Sequence, residues 1–287
     1  MAQVIAERTA VLTAEELIVF AGGHGLGLPP GVPAVAARLG EGEIATVVLS
    51  QAARTLAGRG VSLGPPEGDE PPNPVLQAML LTLCEPTARV VVVASIEGHS
   101  VVQAFSVGEV DAVIQSWLPS DVHLLFRCDL GELRAAVWAA AAVHELPIAA
   151  ESPAELVLDA GLPDQLLEAR FDRFEEVLAA VPGWASLSEA DRSALVPLLI
   201  GRTPAVTMLF RRAGIADSGG DQVGFLAWGI DGGGRLWRIQ PNPARGHGTP
   251  DDDGAPAGDG AVRLSRISRA GVESALNHLC DTFSLPS

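Results

Sequence analysis

The 287-residue sequence contains no lysine and no tyrosine, so all 19 of its basic side chains are arginine. Against these stand 35 acidic side chains, and the formal net charge is −16 at pH 7. A chain with this charge repels phosphate backbones and anionic lipid headgroups. The composition therefore argues against a nucleic-acid partner.

Cysteine is scarce, and the three cysteines are far apart in the sequence: Cys84, Cys128 and Cys280. No two of them form a CxxC pair, and each lies in an apolar stretch. This pattern predicts small buried hydrophobic residues in a reducing compartment. A redox or nucleophilic role is the alternative.

Long hydrophobic runs are also missing. The longest apolar stretch runs from Ala135 to Val143, about half the length that a membrane span requires. The N-terminus has no basic segment followed by an apolar run, and Glu7, Glu15 and Glu16 interrupt it early. We expect a soluble, cytoplasmic protein without membrane insertion.

Motifs that would indicate an enzyme are absent. The six histidines show no HxxxH or HxH spacing, and no serine lies in a GxSxG context. The glycine-rich segment 24–31 lacks the strand–loop–helix context of a phosphate site, and the acidic segment 242–260 lacks calcium-loop spacing. We predict no catalytic residue, cofactor or metal. An enzyme with a site built from scattered residues, among them His24, His99 and Glu97, is the remaining alternative.

Periodicity and capping residues predict alternating groups of helices and strands. The predicted helices cover residues 13–22, 44–57, 75–84, 129–144, a segment opened by the capping box Ser152-Pro-Ala-Glu155, 164–181, 188–201 and 269–283. The predicted strands cover residues 89–96, 100–107, 110–118, 121–127, 205–213, 221–230, 234–240 and 261–267.

The two groups of strands indicate an internal repeat. Residues 85–90 correspond to 201–206, residues 102–105 to 225–228, and residues 122–137 to 262–277. Chance similarity between two apolar segments is the alternative. The repeat predicts an α+β fold, internally duplicated, with a quasi-twofold, mostly antiparallel central sheet flanked by helical bundles. Its units would be residues 1–150 and 151–287, each with helices, four strands and a helix, packed as one globular body.

Three tryptophans fall on predicted strands: Trp117 in the first unit, and Trp228 and Trp237 in the second. They either pack in the core or form a partly exposed aromatic patch on an open sheet, which would suit a protein partner. They are therefore candidate partner-binding residues.

Several segments together resemble one protein family: LTAEELIVF (12–20), AARTLAGRGVSL (52–63), PVLQAMLLTLCEPTARVVVV (74–93), WRIQP (237–241) and VRLSRISRAGVESALNHL (262–279). The chain resembles the EspG family of cytosolic chaperones of type VII (ESX) secretion systems. The resemblance implies a quasi-twofold sheet with helical bundles that binds PE–PPE heterodimers without catalysis.

The resemblance also implies where a partner would bind, namely the sheet and the C-terminal helical bundle. The family's partner-contacting hairpin loop maps most naturally onto Gly108-Glu109, and Leu276 of the C-terminal helix is a further candidate. We therefore predict a secretion chaperone or adaptor that keeps a helical, PE–PPE-like secreted pair soluble. The alternative is a non-enzymatic structural or regulatory interaction module that acts as a homodimer formed through sheet edges.

Overall fold

The computed structural model describes residues 8–64, 73–96, 99–147, 154–158, 174–179, 181, 183–212, 222–241 and 262–285. Most of the predicted helix over 164–181 lies outside these residues, and so does the whole of the acidic segment 242–260.

Ten strands in the described residues form one sheet in which all neighbours are antiparallel. They are β1 (Thr9–Thr13), β2 (Ala88–Ile96), β3 (His99–Val107), β4 (Asp111–Leu118), β5 (Val122–Asp129), β6 (Glu155–Leu158), β7 (Ala205–Arg212), β8 (Gln222–Ile230), β9 (Leu236–Pro241) and β10 (Val262–Arg266).

The strand order is the same on both sides of the central β2–β7 pair. Outward from that pair, one side runs β2, β3, β4, β5, β1 and the other runs β7, β8, β9, β10, β6. The predicted repeat aligns Val90 with Val206 and Phe105 with Trp228. In the sheet Val90 pairs with Phe105, and Val206 pairs with Trp228. The duplicated, quasi-twofold antiparallel sheet is thus confirmed.

The last predicted correspondence, 122–137 with 262–277, is wrong by one residue. Ile114 and Arg238 are equivalent because they pair with Phe105 and Trp228, and their own next partners are Phe126 and Ser265. A shift of one residue would move every side chain of the strand to the other face. The helix starts agree with the corrected alignment, because Asp129 and Ser268 are both N-cap residues.

Eight α-helices lie in the described residues: α1 (Ala14–His24), α2 (Val32–Leu39), α3 (Glu43–Gly58), α4 (Pro74–Cys84), α5 (Leu130–Ala140), α6 (Phe174–Ala179), α7 (Glu189–Leu199) and α8 (Arg269–Thr282). Their starts follow local rules. Thr13 and Glu16 form the predicted capping box, and the Asn73, Ser188 and Ser268 side chains accept backbone N–H groups of α4, α7 and α8.

Three elements differ from the sequence-based prediction. The helix expected after Ser152-Pro-Ala-Glu155 is wrong, because Glu155–Leu158 forms β6 against β10. The edge strand β1 and the helix α2 were not predicted. Each half of the sheet therefore has five strands where four were expected. The unit boundary between residues 150 and 151 stays a prediction, since residues 148–153 lie outside the described ones.

The sheet has two differently covered faces. One face, here called the helix-pair face, packs against α5 and α8 in a core that contains strands of both halves. The other, the bundle face, carries two separate bundles. The first consists of α1–α4 on β1, β4 and β5; the second, of α6, α7 and the 3-10 turn Trp184–Ser186 on β6, β9 and β10. No helix in the described part of the chain is long and apolar enough to cross a membrane.

Candidate functional site

Between the two bundles, the middle of the bundle face carries an open apolar surface. Leu209 on β7 is 45% exposed, and Val223 and Phe225 on β8 are 61% and 40% exposed. Half-buried valines on β2 and β3 lie beside them. This surface is called the central patch and consists of Val91, Val93, Val102, Leu209, Val223 and Phe225.

The strand register makes the central patch continuous. Val91 pairs with Leu209, which pairs with Phe225, so three neighbouring strands present an unbroken apolar row. Small buried alanines, Ala104 and Ala227, lie at its sides. A row of this kind on a sheet that is otherwise covered leaves a shallow site between two walls of helices.

One end of the central patch is cationic. Arg89 on β2 pairs directly with Arg211 on β7, and Arg211 pairs with Val223. Arg89 is held in place, since its guanidinium donates to the Leu83 carbonyl (2.5 Å) and to Ser106 Oγ (3.2 Å). Burial lowers the pKa of Arg89 to about 10; the nearby Cys84 opposes this lowering and the facing charge of Arg211 adds to it. Two facing cations in a chain of net charge −16 favour an acidic group on whatever covers this end.

The predicted contact turn Gly108-Glu109 lies at the same end of the sheet. Gly108 follows Val107, which pairs with Ala88, the neighbour of Arg89. The Gly108 N–H donates to the Asp111 carbonyl (2.8 Å), and a Cβ at Gly108 would lie 3.1 Å from Thr82 Oγ1 of α4. The turn is therefore fixed against α4, while Glu109 and Val110 are exposed.

Three other predicted partner-binding residues lie in the cores. Trp228 and Leu276 are buried in the core of the helix-pair face, and Trp237 is buried in the second bundle. This agrees with the core-packing alternative for the tryptophans and leaves no exposed aromatic patch at Trp228 or Trp237. A contact of these three residues with a partner would have to be indirect.

Trp117 lies elsewhere on the bundle face. Its half-buried indole packs on the backbone of Gly31, where a Cβ would lie 1.6 Å from Trp117 Nε1, and its ring meets His123 edge-on at 6.1 Å. His123 is buried and bonded through Nδ1 to the Gln115 amide (3.0 Å). Burial lowers the pKa of His123, so it stays neutral at pH 7. Trp117 thus holds the loop between α1 and α2 on the sheet.

A buried carboxylate positions the second bundle, and sequence reasoning missed it. Asp231, in the β8–β9 turn, accepts hydrogen bonds from Gly233 N (2.8 Å), Arg235 N (3.0 Å), Arg235 Nε (2.8 Å) and Trp237 Nε1 (3.0 Å). Burial raises the pKa of Asp231, but these hydrogen bonds outweigh burial and the pKa lies below its ordinary value. The turn segment Asp231-Gly-Gly-Gly-Arg235 was the only signal available in the sequence.

The same turn is joined to α7 and β10. The Arg235 guanidinium bonds to Asp191 of α7, which also accepts from Arg266 Nη2 (2.9 Å). Arg266 in turn lies over the Trp237 ring at 5.2 Å. The Ser188 side chain first, and then the two arginines, hold the pKa of Asp191 below its ordinary value. One wall of the central patch is thus fixed to the sheet by ion pairs.

The two described histidines considered for catalysis, His24 and His99, are not brought together. His24 Nε2 lies 3.0 Å from the Ser62 carbonyl oxygen and 3.3 Å from the Gln77 amide nitrogen, inside the first bundle. His99 is exposed at the start of β3, and Glu97 lies outside the described residues. None of the described contacts joins His24 to His99. Within the described ranges, no three His, Cys, Asp or Glu side chains group as metal ligands.

All three cysteines are free and buried, as predicted. Burial raises the pKa of Cys84 to about 12 and that of Cys280 to about 11, and it raises the pKa of Cys128 as well. The thiols are therefore protonated at neutral pH, and a thiolate nucleophile is disfavoured.

A separate groove lies between α1 and α3 at the β1 edge of the sheet. Its walls include Val47, Val48 and Ala52, and its charged side includes Glu16 and Arg59. Glu16 is already used there: its Oε2 accepts from Thr13 N (2.8 Å), and its Oε1 lies 3.6 Å from Arg59 Nη2. The charged groups of this groove serve the capping box and the edge strand.

Comparison with known proteins shows a similarity of fold. No family model matches the chain, and no curated protein sequence matches it. Among solved structures, the chain is similar to the type VII secretion system chaperone EspG5 of Mycobacterium tuberculosis, determined in complex with a PE25–PPE41 dimer. The similarity covers 97% of each chain with a TM-score of 0.52 and 13% sequence identity. The chain therefore has an EspG-like fold.

Proposed function

We propose that the chain is a cytoplasmic chaperone or adaptor of type VII secretion that binds a secreted helical pair of the PE–PPE kind over its central patch. The observation that carries the proposal is the open apolar row Val91–Leu209–Phe225 between two helical walls. The fold shared with EspG5 over 97% of both chains supports the same role, since that protein was solved with a PE25–PPE41 dimer.

The chemistry of the central patch fits the tip of a helical client. Leu209, Val223 and Phe225 are about half exposed, so covering them would contribute about 1 kcal/mol each, roughly half the value for full burial. An amphipathic helix, whose apolar residues lie at helical spacing, can cover a surface of this kind. Shielding those residues before export is what keeps such a client soluble.

The cationic end of the central patch favours one orientation of the bound client. Arg89 and Arg211 face each other beside Val223 and would attract an acidic residue of the client that lies next to its apolar anchor. Glu109, in the turn at the same end of the sheet, would repel that acidic residue and so limit how far it can shift. We propose Gly108 and Glu109 as rim positions, with Trp228, Trp237 and Leu276 supporting the sheet from within. Trp117 would act apart from this site.

The test is co-expression of the tagged chain with helical secreted pairs encoded beside it in its own genome. We expect one pair to co-purify with the wild-type chain and to stay soluble only in its presence. The double variant Leu209→Asp with Phe225→Asp places two carboxylates on the central patch, and we expect it to lose the pair. Ile44→Asp, at an 81% exposed position on α3, is the matched control and should retain it.

Circular dichroism and thermal unfolding of each variant would separate loss of binding from loss of folding. Recovery of no helical secreted pair by the wild-type chain would contradict the proposed function. Equal recovery by the double variant and by Ile44→Asp would contradict the central patch as the binding site.

A further inference from the structure

The loop between α1 and α2, residues 25–31, lies against two buried polar side chains of the sheet. Gln115 on β4 and His123 on β5 are 0% and 1% exposed. They are diagonal neighbours on the two strands, since Gln115 pairs with Leu125 and His123 pairs with Trp117. Polar side chains buried this deeply are normally held by hydrogen bonds. The partners of these two therefore show what they do in the fold.

The Gln115 amide joins His123 to the loop. Its Nε2 donates to the Pro30 carbonyl (3.2 Å) and contacts His123 Nδ1 at 3.0 Å. An amide nitrogen carries two hydrogens, so it donates one to each of these acceptors. His123 Nδ1 is then an acceptor, and the proton of the neutral ring lies on Nε2. This arrangement is satisfied only while the imidazole is neutral.

The Gln115 amide cannot serve both neighbours once His123 is protonated. Protonated Nδ1 is a donor and faces the donating amide nitrogen. Turning the amide over brings Oε1, which is buried without a hydrogen-bond partner in the described part of the chain, towards Nδ1–H. The same turn sets Oε1 against the Pro30 carbonyl oxygen, so that acceptor meets acceptor. A proton on His123 therefore breaks the bond to Pro30.

This bond matters because the loop has few other polar contacts. Among the described residues it is the one hydrogen bond between residues 25–31 and the sheet. The remaining contacts are apolar: the Trp117 indole packs on Gly31, and Leu26 and Leu28 pack half-buried on the core of the first bundle. Loss of the Pro30 bond leaves a buried carbonyl without a donor, which favours moving the loop into water.

The charged groups around His123 come from the neighbouring elements. Asp121 in the β4–β5 turn and Glu15 on α1 favour the protonated ring, but burial outweighs them and lowers the pKa of His123 below its ordinary value of 6.5. Asp121 is bonded to Arg38 of α2 (2.8 Å), and β1 has no titratable side chain. The other titratable groups of these elements are bonded elsewhere: Glu16 to Thr13, His24 to Ser62 and Gln77, Asp111 to Arg127, and Asp129 to Arg8.

We propose that Gln115 and His123 form a pH-sensitive latch, which holds the α1–α2 loop on the sheet at neutral pH and releases it when His123 takes up a proton. In the open form His123 is in water and binds a proton at its ordinary pKa near 6.5, whereas the closed form binds one only at lower pH. The open-to-closed ratio therefore rises as the pH falls below about 6.5, by up to about tenfold per pH unit. The latch is independent of the proposed function, because neither residue belongs to the central patch.

The test is hydrogen–deuterium exchange of the full chain, followed by mass spectrometry, between about pH 7.5 and pH 5. Reporter amides are Leu26, bonded to the Ala21 carbonyl (2.8 Å), and Val32, bonded to the Pro29 carbonyl (3.2 Å). After correction for the intrinsic exchange rate, we expect protection of peptides covering residues 25–36 to fall at least tenfold over this range. Peptides from β2 and β7 should keep their protection, which separates loop release from global unfolding.

Three variants assign the effect to the latch. His123→Asn places an amide oxygen near the position of Nδ1 and cannot take up a proton, so the pH dependence of the loop should disappear. His24→Asn is the matched control, the same change at the other histidine of the first bundle, and should keep the pH dependence. Gln115→Met has no amide and should lower protection of the loop at every pH.

A wild-type loop whose protection does not change with pH would overturn the proposal, and so would an equal fall in wild type and His123→Asn. Nuclear magnetic resonance titration of the wild-type histidines needs no variant: the midpoint of His123 should coincide with the fall in protection, and a clear mismatch would also overturn the latch. His123→Asn should still co-purify the helical pair at neutral pH. Failure of the latch is therefore distinguishable from failure of the chaperone role.

Discussion

The two halves of the sheet have the same strand order and the same pairing, yet equivalent surface positions carry different side chains. On the bundle face, the second half exposes Leu209 and Phe225, where the first half has the half-buried Val93 and Val102. On the helix-pair face, Ile114 and Leu124 of the first half correspond to Arg238 and Arg263 of the second. Both halves have the same strand pairing and therefore the same core positions. Differences between equivalent surface positions can then reflect different binding roles of the two halves.

The turns between equivalent strands differ in the same way. The β3–β4 turn is short and exposes Glu109 and Val110, and its Gly108 rests on α4. The β8–β9 turn surrounds the buried carboxylate of Asp231, which joins the turn to the strand that follows. We infer that the second half has the more rigid frame, which suits the half that carries the more exposed side of the central patch.

Removal of the Asp231 carboxylate should cause the largest loss of folding stability among these changes. Asp231→Ala removes the buried acceptor of Arg235 Nε, of Trp237 Nε1 and of the Gly233 and Arg235 backbone N–H groups, and we expect a loss of about 3–5 kcal/mol in unfolding free energy. Asp111→Ala, in the first half, removes an acceptor of Arg127 alone and should cost about 1–3 kcal/mol. Urea unfolding measures both. Equal losses would contradict the difference in rigidity.

Exchange of the equivalent patch residues should have the next largest effect. Leu209→Val with Phe225→Val gives the second half the side chains of the first, and we expect client affinity to fall about tenfold, or about 1.4 kcal/mol. Val93→Leu with Val102→Phe makes the reverse change at the first-half side of the central patch and should leave client affinity nearly unchanged. Titration calorimetry with the purified helical pair measures both. Equal weakening by the two double variants would show that the halves contribute alike.

Acid should destabilise the second half, which is stabilised by ionised carboxylates at neutral pH. The pKa values of Asp191 and Asp231 lie below their ordinary value, so both carboxylates are ionised at neutral pH and stabilise the fold there. This stability is fully present above the unfolded value of about 3.9 and is lost as pH falls through the lower folded values. Urea unfolding of wild type and Asp231→Asn between about pH 5 and pH 2 measures it. A wild-type slope no steeper than that of Asp231→Asn would contradict this account.

The cysteines, which lie in both halves, are expected to show the least reactivity in the folded chain. Burial raises the pKa of Cys84 to about 12 and of Cys280 to about 11, so few thiolates form at pH 8. We expect no alkylation of the folded chain by iodoacetamide and three alkylated thiols after unfolding in urea. Mass spectrometry counts them. Rapid labelling of the folded chain would show an opening that the buried positions do not predict.

Most elements of the sheet were predictable because long β-branched runs such as Arg89–Ile96 leave little choice. The two edge strands were not. Thr9–Thr13 is short and lies directly before a helix cap, and Glu155–Leu158 follows residues that imitate a helix start. Both become strands through pairing with β5 and β10, which are more than 100 residues away in sequence. Local patterns carry no information about such pairing.

The central patch was only partly predictable. The sheet as a binding surface followed from the family resemblance, but Leu209, Val223 and Phe225 gave no local signal. Strands β7 and β8 are apolar on both faces, so alternation does not distinguish an open face from a covered one. Which positions are exposed depends on where the helical bundles pack on the sheet. The tryptophans, the strongest signal in the sequence, prove to be core residues at Trp228 and Trp237.

A solved structure of the chain with its helical pair tests the central claim most directly. The account predicts that the tip of the pair covers Leu209, Val223 and Phe225, with an acidic residue near Arg89 and Arg211. A complex in which the central patch stays exposed would contradict it.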